Sequence, residues 1–276
     1  MGIWQSCQAG ELIIRHERPV SDRDLRSVYY LDLLALALQK AAPVGLDYTL
    51  QPTELKMIQS RLIVELEANR AIDVLWSVTN IDREERLRPI RIPLVKGLLG
   101  YRVFIVRKND TERYSKIESI DDLRVFDFGQ GADWSDTKIL KANNFNVVTS
   151  SSYEALFTML SAKRFDLFSR SVFEAYTEVQ NRTELALEVE PSIALKYNSP
   201  TFFFFNKDNH QLATLVERGL MMAIADGSFD KFFFEHPMTQ SVFNKANLTE
   251  RKTFYLENIY LSPETAQLQK QKQLWY

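Results

Sequence analysis

The strongest constraint on this chain is an order of segments: short apolar runs alternate with stretches of helical period, and the alternation comes twice. Leu12-Ile13-Ile14 opens the first series as a strand that ends at Arg15-His16-Glu17, where Pro19 breaks it. Over residues 29–40 apolar side chains recur three and four apart, and Leu33, Leu34, Leu36, Ala37 and Leu38 form a broad helical face. Ala42-Pro43-Val44-Gly45 ends that helix. Residues 46–50 alternate like a second strand, 58–69 return to helical period, and 72–78 read as a third strand. This order predicts a mostly parallel sheet with helices on its faces, because parallel neighbours need a crossover that a helix supplies.

The second series runs from a strand at 101–106 to a short helix opened by Ile120-Asp121-Asp122-Leu123. A strand at 125–128 then leads into Gly129-Gln130-Gly131, expected as a turn, and a helix follows at 135–142. Val147-Val148, a helix over 153–163 and a strand at 165–168 repeat the unit. Two such arrays predict an α/β chain of two similar lobes. The tail beyond His236 carries no repeat and is expected to wrap one lobe.

Composition narrows the function classes. A chain of 276 residues that is 45% hydrophobic buries a full core and is too long for one minimal domain. Its 34 basic residues face 36 acidic ones without a basic stripe, which argues against nucleic acid as a partner. The apolar runs at 31–38 and 202–205 fall short of the roughly 20 residues a membrane helix needs, so a soluble protein is expected. Cys7 stands alone, which removes any internal disulfide and leaves the compartment open. The first nine residues lack the basic and apolar regions of a signal peptide. They read either as the remnant of an export signal ending near Ala9 or as a short cytosolic N-terminus; Trp4–Cys7 is a poor lipobox, with Trp where Leu belongs. His16, His210 and His236 are scattered, and no Gly-x-Ser-x-Gly elbow occurs, so no metal, cofactor or hydrolytic nucleophile is expected.

Several stretches carry a further signal through their order and spacing. They are Ile72-Asp73-Val74 with Thr79 and Pro93, the run from Leu99 to Lys108, and Ser119-Ile120-Asp121-Asp122-Leu123. Ser152-Tyr153-Glu154-Ala155-Leu156 with Phe165-Asp166 follows, and then Ala225-Asp226-Gly227-Ser228-Phe229-Asp230 within 219–234. Together they resemble the family 3 extracellular solute-binding proteins, the receptors of polar amino-acid ABC importers. The resemblance implies an α/β, two-lobed, type 2 periplasmic-binding-protein-like fold with two crossover strands. It places one lobe at 10–98 plus 203–276, the second at 103–195, and the crossovers at 99–102 and 196–202. It further implies a periplasmic monomer that closes on a small molecule and hands it to an ABC permease or reports it to a membrane sensor. The alternation of strands and helices agrees independently, since open α/β sheets bind ligands at the carboxyl ends of their strands.

The chain also departs from that family. The family's ligand arginine follows the threonine, yet ungapped counting puts Glu84 there, flanked by Arg83 and Arg86, either able to serve in a rebuilt turn. The family's aspartate for the ligand ammonium is replaced by Ser171, preceded by Arg170, with Glu174 one helical turn on as a substitute. Further candidate contacts are Arg15 and Glu17, Tyr29, Trp76 and Thr79, each at a strand end or helix start. Asp133 and Trp134 stand in the strand–helix junction after Gly131, where free backbone N–H groups suit an anion. Each has a plainer alternative: solvated charges for Arg15 and Glu17, core packing for Tyr29 and Trp76, a helix cap for Asp133, a surface ion pair for Arg170. The combined expectation is a non-enzymatic receptor for an anionic organic ligand. The rivals are a sensor, or a cyclohexadienyl-dehydratase-like enzyme with Asp133 or Glu174 as its acid.

Overall fold

The computed structural model describes residues 11–19, 21, 22, 24–43 and 46–276; the expectations for Met1–Ala9, an export signal and Cys7 included, and for Val44-Gly45 lie outside the described residues. In chain order the elements begin with β1 (Leu12–His16), α1 (Arg26–Ala41), β2 (Tyr48–Pro52), α2 (Gln59–Glu67), β3 (Leu75–Val78), α3 (Ile81–Arg86) and β4 (Arg88–Ile90). They continue with β5 (Tyr101–Arg107), α4 (Ile120–Arg124), β6 (Asp127–Gly131), α5 (Ser135–Ala142), β7 (Asn146–Ser150), α6 (Tyr153–Ser161), β8 (Leu167–Ser171) and α7 (Val172–Gln180). The last are β9 (Leu187–Val189), β10 (Ile193–Lys196), β11 (Thr201–Phe205), α8 (His210–Ala225), α9 (Ser228–Glu235), α10 (Pro237–Lys245), β12 (Lys252–Tyr255) and α11 (Pro263–Gln267).

Local chemistry sets many of the helix ends. Ser119, Ser152, Ser171 and Asn209 each accept a backbone N–H of the first turn, and Ser119 with Asp122 completes a reciprocal capping box. Asn69 and Asn144, just past α2 and α5, take left-handed φ values of 53° and 65°, a conformation asparagine tolerates better than most residues.

In the first lobe β1 and β2 pair in parallel, as expected. β3 does not extend that parallel array; it lies antiparallel to β11, which is flanked on its other side by β4. The reason is in the sequence of β11. Its four phenylalanines alternate between two apolar clusters, Phe203 and Phe205 on one face, Phe202 and Phe204 on the other, all fully buried. A strand with two apolar faces belongs at the centre of a sheet, and each such ring contributes about 1.5–3 kcal/mol by leaving water.

The second lobe is built on a sheet ordered β12-β10-β5-β8-β6-β7, with β9 also on β5. β7, β6 and β8 are parallel, and β5 runs antiparallel to β8 and β10. Gly129-Gln130-Gly131 is not a turn but the end of β6, paired with Val148, Thr149 and Ser150. The glycines keep the strand close to its covers: a Cβ on Gly129 would meet the Phe165 ring at 2.2 Å. The tail does not wrap one lobe either. β12, expected with the first lobe, pairs in parallel with β10 of the second sheet.

Two connections join the sheets, 91–100 and 197–200. They run so close that a Cβ on Gly100 would sit 2.0 Å from the Tyr197 carbonyl oxygen, and the Tyr197 N–H donates to Gly100 O at 3.1 Å. One apolar cluster continues from lobe to lobe, holding Tyr29, Leu33 and Phe203 together with Val103, Phe168 and Phe173.

Candidate ligand-binding site

The carboxyl ends of β1, β3, β6, β7 and β8 converge on a cavity of about 430 Å3 between the lobes. The first lobe contributes Glu17 after β1, Arg26 and Tyr30 from α1, and Trp76 from β3; the second contributes Asp133 and Trp134, Arg170 from β8 and Glu174 from α7. Contacts also cross the mouth. The Ser60 N–H donates to Asp133 Oδ2 at 3.0 Å, the Ser21 hydroxyl donates to Glu154 Oε1 at 2.6 Å, and the Arg26 guanidinium lies 4.2 Å from the Tyr153 ring centre.

Charge in this cavity is mostly spoken for. Arg170 donates to both oxygens of Glu178, at 2.8 and 2.7 Å, and stands 2.9 Å from Glu174. Its plane also lies 4.5 Å from the Trp134 ring. Burial acts to raise the Glu178 carboxyl, but Arg170 and the Tyr153 hydroxyl hold it below the ordinary value. Glu174 stays raised, because burial and its neighbour Glu178 outweigh Arg170. Arg102, a buried arginine on β5, pairs with Asp136, and Arg26 pairs with Asp24 at 2.6 Å.

The exposed Arg18 and Lys56 on the cavity wall pair with no carboxylate among the described residues, and neither does Glu17 with a base. Burial pushes the Glu17 pKa up to about 7 against the pull of Arg26 and of the neighbouring Trp76 indole. Trp76 in turn stacks on Tyr30, ring centres 5.6 Å apart and planes 16° from parallel. A carboxyl group beside two electron-rich faces is an arrangement for a cation.

The structure thus brings Glu17, Trp76, Asp133, Trp134, Arg170 and Glu174 to one cavity, and it places the other sequence candidates elsewhere. Arg15 forks onto Asp73 at 2.8 and 2.7 Å beside β1. Tyr29 is core, fully buried, its hydroxyl donating to Leu94 O at 2.8 Å. The Thr79 hydroxyl donates to Glu84 Oε1 at 2.5 Å, and Thr79 lines a second, smaller cavity rather than this one. Arg83 is buried just behind the cavity wall, its guanidinium donating to the lining residues Ser77, Val78 (at O) and Gln59, and burial pushes its pKa down to about 10. Arg86 pairs with Glu67 at 2.6 Å on the surface.

These placements remove the basis for an anionic ligand. Arg83 and Arg86 are absent from the cavity wall, Arg170 is met by two carboxylates, and the glycine turn is a strand. Ser171 is buried, its hydroxyl reaching Leu98 O at 3.3 Å and capping α7. Residue-level reading did not single out Arg26, Arg102, Asp136 or Glu178. For Glu178 the signal was present: it follows Glu174 by four, on the same helix face, one turn farther from Arg170.

No protein-family model and no curated protein matches the chain. Solved structures do. An ancestral arginine-binding protein bound to arginine superposes with a TM-score of 0.58 at 20% identity, over 82% of this chain and 97% of that one. A binding component of an ABC transporter from Wolinella succinogenes, complexed with lysine, gives 0.58 at 15% identity, covering 82% of this chain and 94% of that one. A histidine kinase sensor domain with similarity to periplasmic binding proteins gives 0.58 at 13% identity, again over 82% and 94%. The chain has the two-lobed fold of the type 2 periplasmic binding proteins, the architecture of the solute-binding family that its sequence resembles.

Proposed function

We propose that this protein is an extracytoplasmic receptor, not a catalyst, whose cleft takes a small zwitterionic ligand with a cationic group, such as a basic or neutral amino acid. The observation that carries the reading is Glu17, a carboxyl group without an ion pair among the described residues, set against the Trp76–Tyr30 stack on the cavity wall. An ammonium or guanidinium there gains both a counter-charge and aromatic faces. The ligand's carboxylate has a place at the N-terminus of α5, whose N-cap residue Trp134 supplies no side-chain cap and whose first residues border the same cavity. Arginine, glutamine and lysine, named with structures of the same fold, have this chemistry.

An enzymatic use of the cleft needs an acid free to give up its proton. Asp133 accepts the Ser60 N–H and Glu174 pairs with Arg170, which counts against both acids that the sequence offered for the task; Glu17, the remaining uncommitted acid, is assigned to the ligand's cationic group instead. An ABC permease and a membrane sensor are both compatible partners, since each reads only the closed form.

Calorimetry with arginine, lysine and glutamine, each beside its deaminated acid, tests the proposal. The amino acids bind, the deaminated acid of glutamine, which has lost its only cation, does not, and Glu17→Gln weakens binding by at least about tenfold, equivalent to about 1.4 kcal/mol. Binding confined to the deaminated acids, or indifferent to Glu17→Gln, would overturn it.

A further inference from the structure

The chain beyond α9 crosses between the lobes twice in addition to the two connections. The outward passage starts at His236, whose ring centre is 4.9 Å from that of Tyr29 and whose Nε2 lies 3.2 Å from Asp32 Oδ2, both on α1 of the first lobe. α10 then packs on α7 of the second lobe, where the Tyr176 hydroxyl donates to Lys245 O at 3.0 Å. Buried Arg251 donates to Ala246 O at 2.7 Å, to Ile193 O at 3.0 Å and to Glu190 O, and β12 joins the sheet beside it.

The return passage is tied at every second residue. Leu256 N–H donates to Lys196 O at 2.9 Å, the Asn258 side chain donates to Asn198 O at 2.8 Å, and Tyr260 O accepts the Ile81 N–H at 2.9 Å. Ser262 and Thr265 then give their hydroxyls to Glu84, at 2.8 and 2.6 Å, where Arg91 and Thr79 also donate. At the chain end the Tyr276 N–H donates to Lys96 O at 2.8 Å. Glu84 occupies the position where a ligand arginine was expected; here a carboxylate fastens the tail.

We propose that this C-terminal segment is a strap that limits how far the two lobes open. A hinge made of two connections swings freely while nothing else spans it. A further passage beside the second connection, anchored at alternate residues on both lobes, must break hydrogen bonds before the mouth can widen. The α10 brace adds the cost of parting it from α7, where the apolar cluster is continuous.

The test uses the full chain without added ligand. A protease site is placed between Asn258 and Ile259, which is exposed, and small-angle scattering is recorded before and after cleavage. Uncut protein should give a radius of gyration near roughly 19 Å, the value for a compact chain of this length, and cleavage should increase it. The same site between Lys207 and Asp208, exposed in the loop before α8, should leave it unchanged on cutting. A flexible Gly/Ser insertion after Asn258, uncut, gives slack while keeping the chain continuous and should also increase the radius; it decides the matter where the nicked protein loses its circular dichroism. If cut and lengthened forms scatter like the intact chain, the strap limits nothing and the proposal is wrong. Because no ligand enters, the result is independent of the ligand class proposed above.

Discussion

At Glu17 burial and charge act in opposite directions, and the direction of the balance makes a pH prediction. Burial raises the carboxyl to about 7 despite Arg26, whereas in the unfolded chain the group ionises near the ordinary value of 4.5. Between those two values the folded state holds a proton that the unfolded state has lost. Stability contributed by this group is therefore greatest at low pH and is lost as pH rises through about 7. By pH 8 the cost reaches about 3 kcal/mol, at about 1.4 kcal/mol for each pH unit that separates the folded from the unfolded value. Glu17→Gln should match the parent in denaturant melts at pH 5 and exceed it at pH 8 by up to about that amount. Ligand affinity runs the other way. A cation binds the carboxylate, so affinity should fall about tenfold for each pH unit below 7, and Glu17→Gln should flatten that slope. A parent whose stability and affinity both ignore pH between 5 and 8 would show that Glu17 is not walled off as described. With its carboxylate buried above about pH 7, the residue that makes the site also weakens the empty fold, a trade common at binding sites.

Among the elements, α1 and α8 pack closely, and Gly219 permits it: a Cβ there would fall 1.9 Å from the Ala37 carbonyl oxygen. Helix propensity alone says that Gly219→Ala should stabilise by up to about 1 kcal/mol. Packing says the opposite, since separating the helices costs typically about 1–3 kcal/mol, which outweighs the gain in propensity. Urea melts should therefore show Gly219→Ala destabilised; a gain would mean that the helices have room to part. The same contrast between local and tertiary causes explains what could be read in the sequence. α1, α5, α6 and β5 were legible because their apolar periods depend only on neighbours along the chain. The central place of β11 was not, because four phenylalanines in a row state that both faces are buried without naming the partners, β3 and β4. Glu17, Trp76 and Arg170 were legible as strand-end residues, and strand ends define the cleft. Whether a strand-end charge is free was not legible. Arg170 is neutralised from α7, and Arg83 spends its guanidinium on Ser77, Val78 O and Gln59 behind the cavity wall.

For the whole molecule the decisive feature is the continuity of the apolar cluster across the lobes. Interfaces between domains of one chain are usually modest and polar, which lets the domains move and melt separately. Here Phe173, at the start of α7 in the second lobe, packs its ring against Tyr29 at 5.1 Å and Tyr30 at 6.1 Å, both on α1 of the first. Phe173 is buried, so melting either lobe alone would expose it together with its partners and would unzip the α10 brace as well. The two lobes should therefore unfold as one cooperative unit. Scanning calorimetry should record a single transition whose calorimetric and van't Hoff enthalpies agree, the signature of two-state behaviour. Phe173→Ala removes the junction without touching the cavity's charges and should cost about 3–5 kcal/mol, as for other buried aromatic truncations. Its melting transition should move down by several degrees and broaden or split, because the lobes then lose what couples them. Two resolved transitions in the parent chain, or a Phe173→Ala variant that melts as the parent does, would show that the shared cluster contributes little and that the lobes fold as separate bodies.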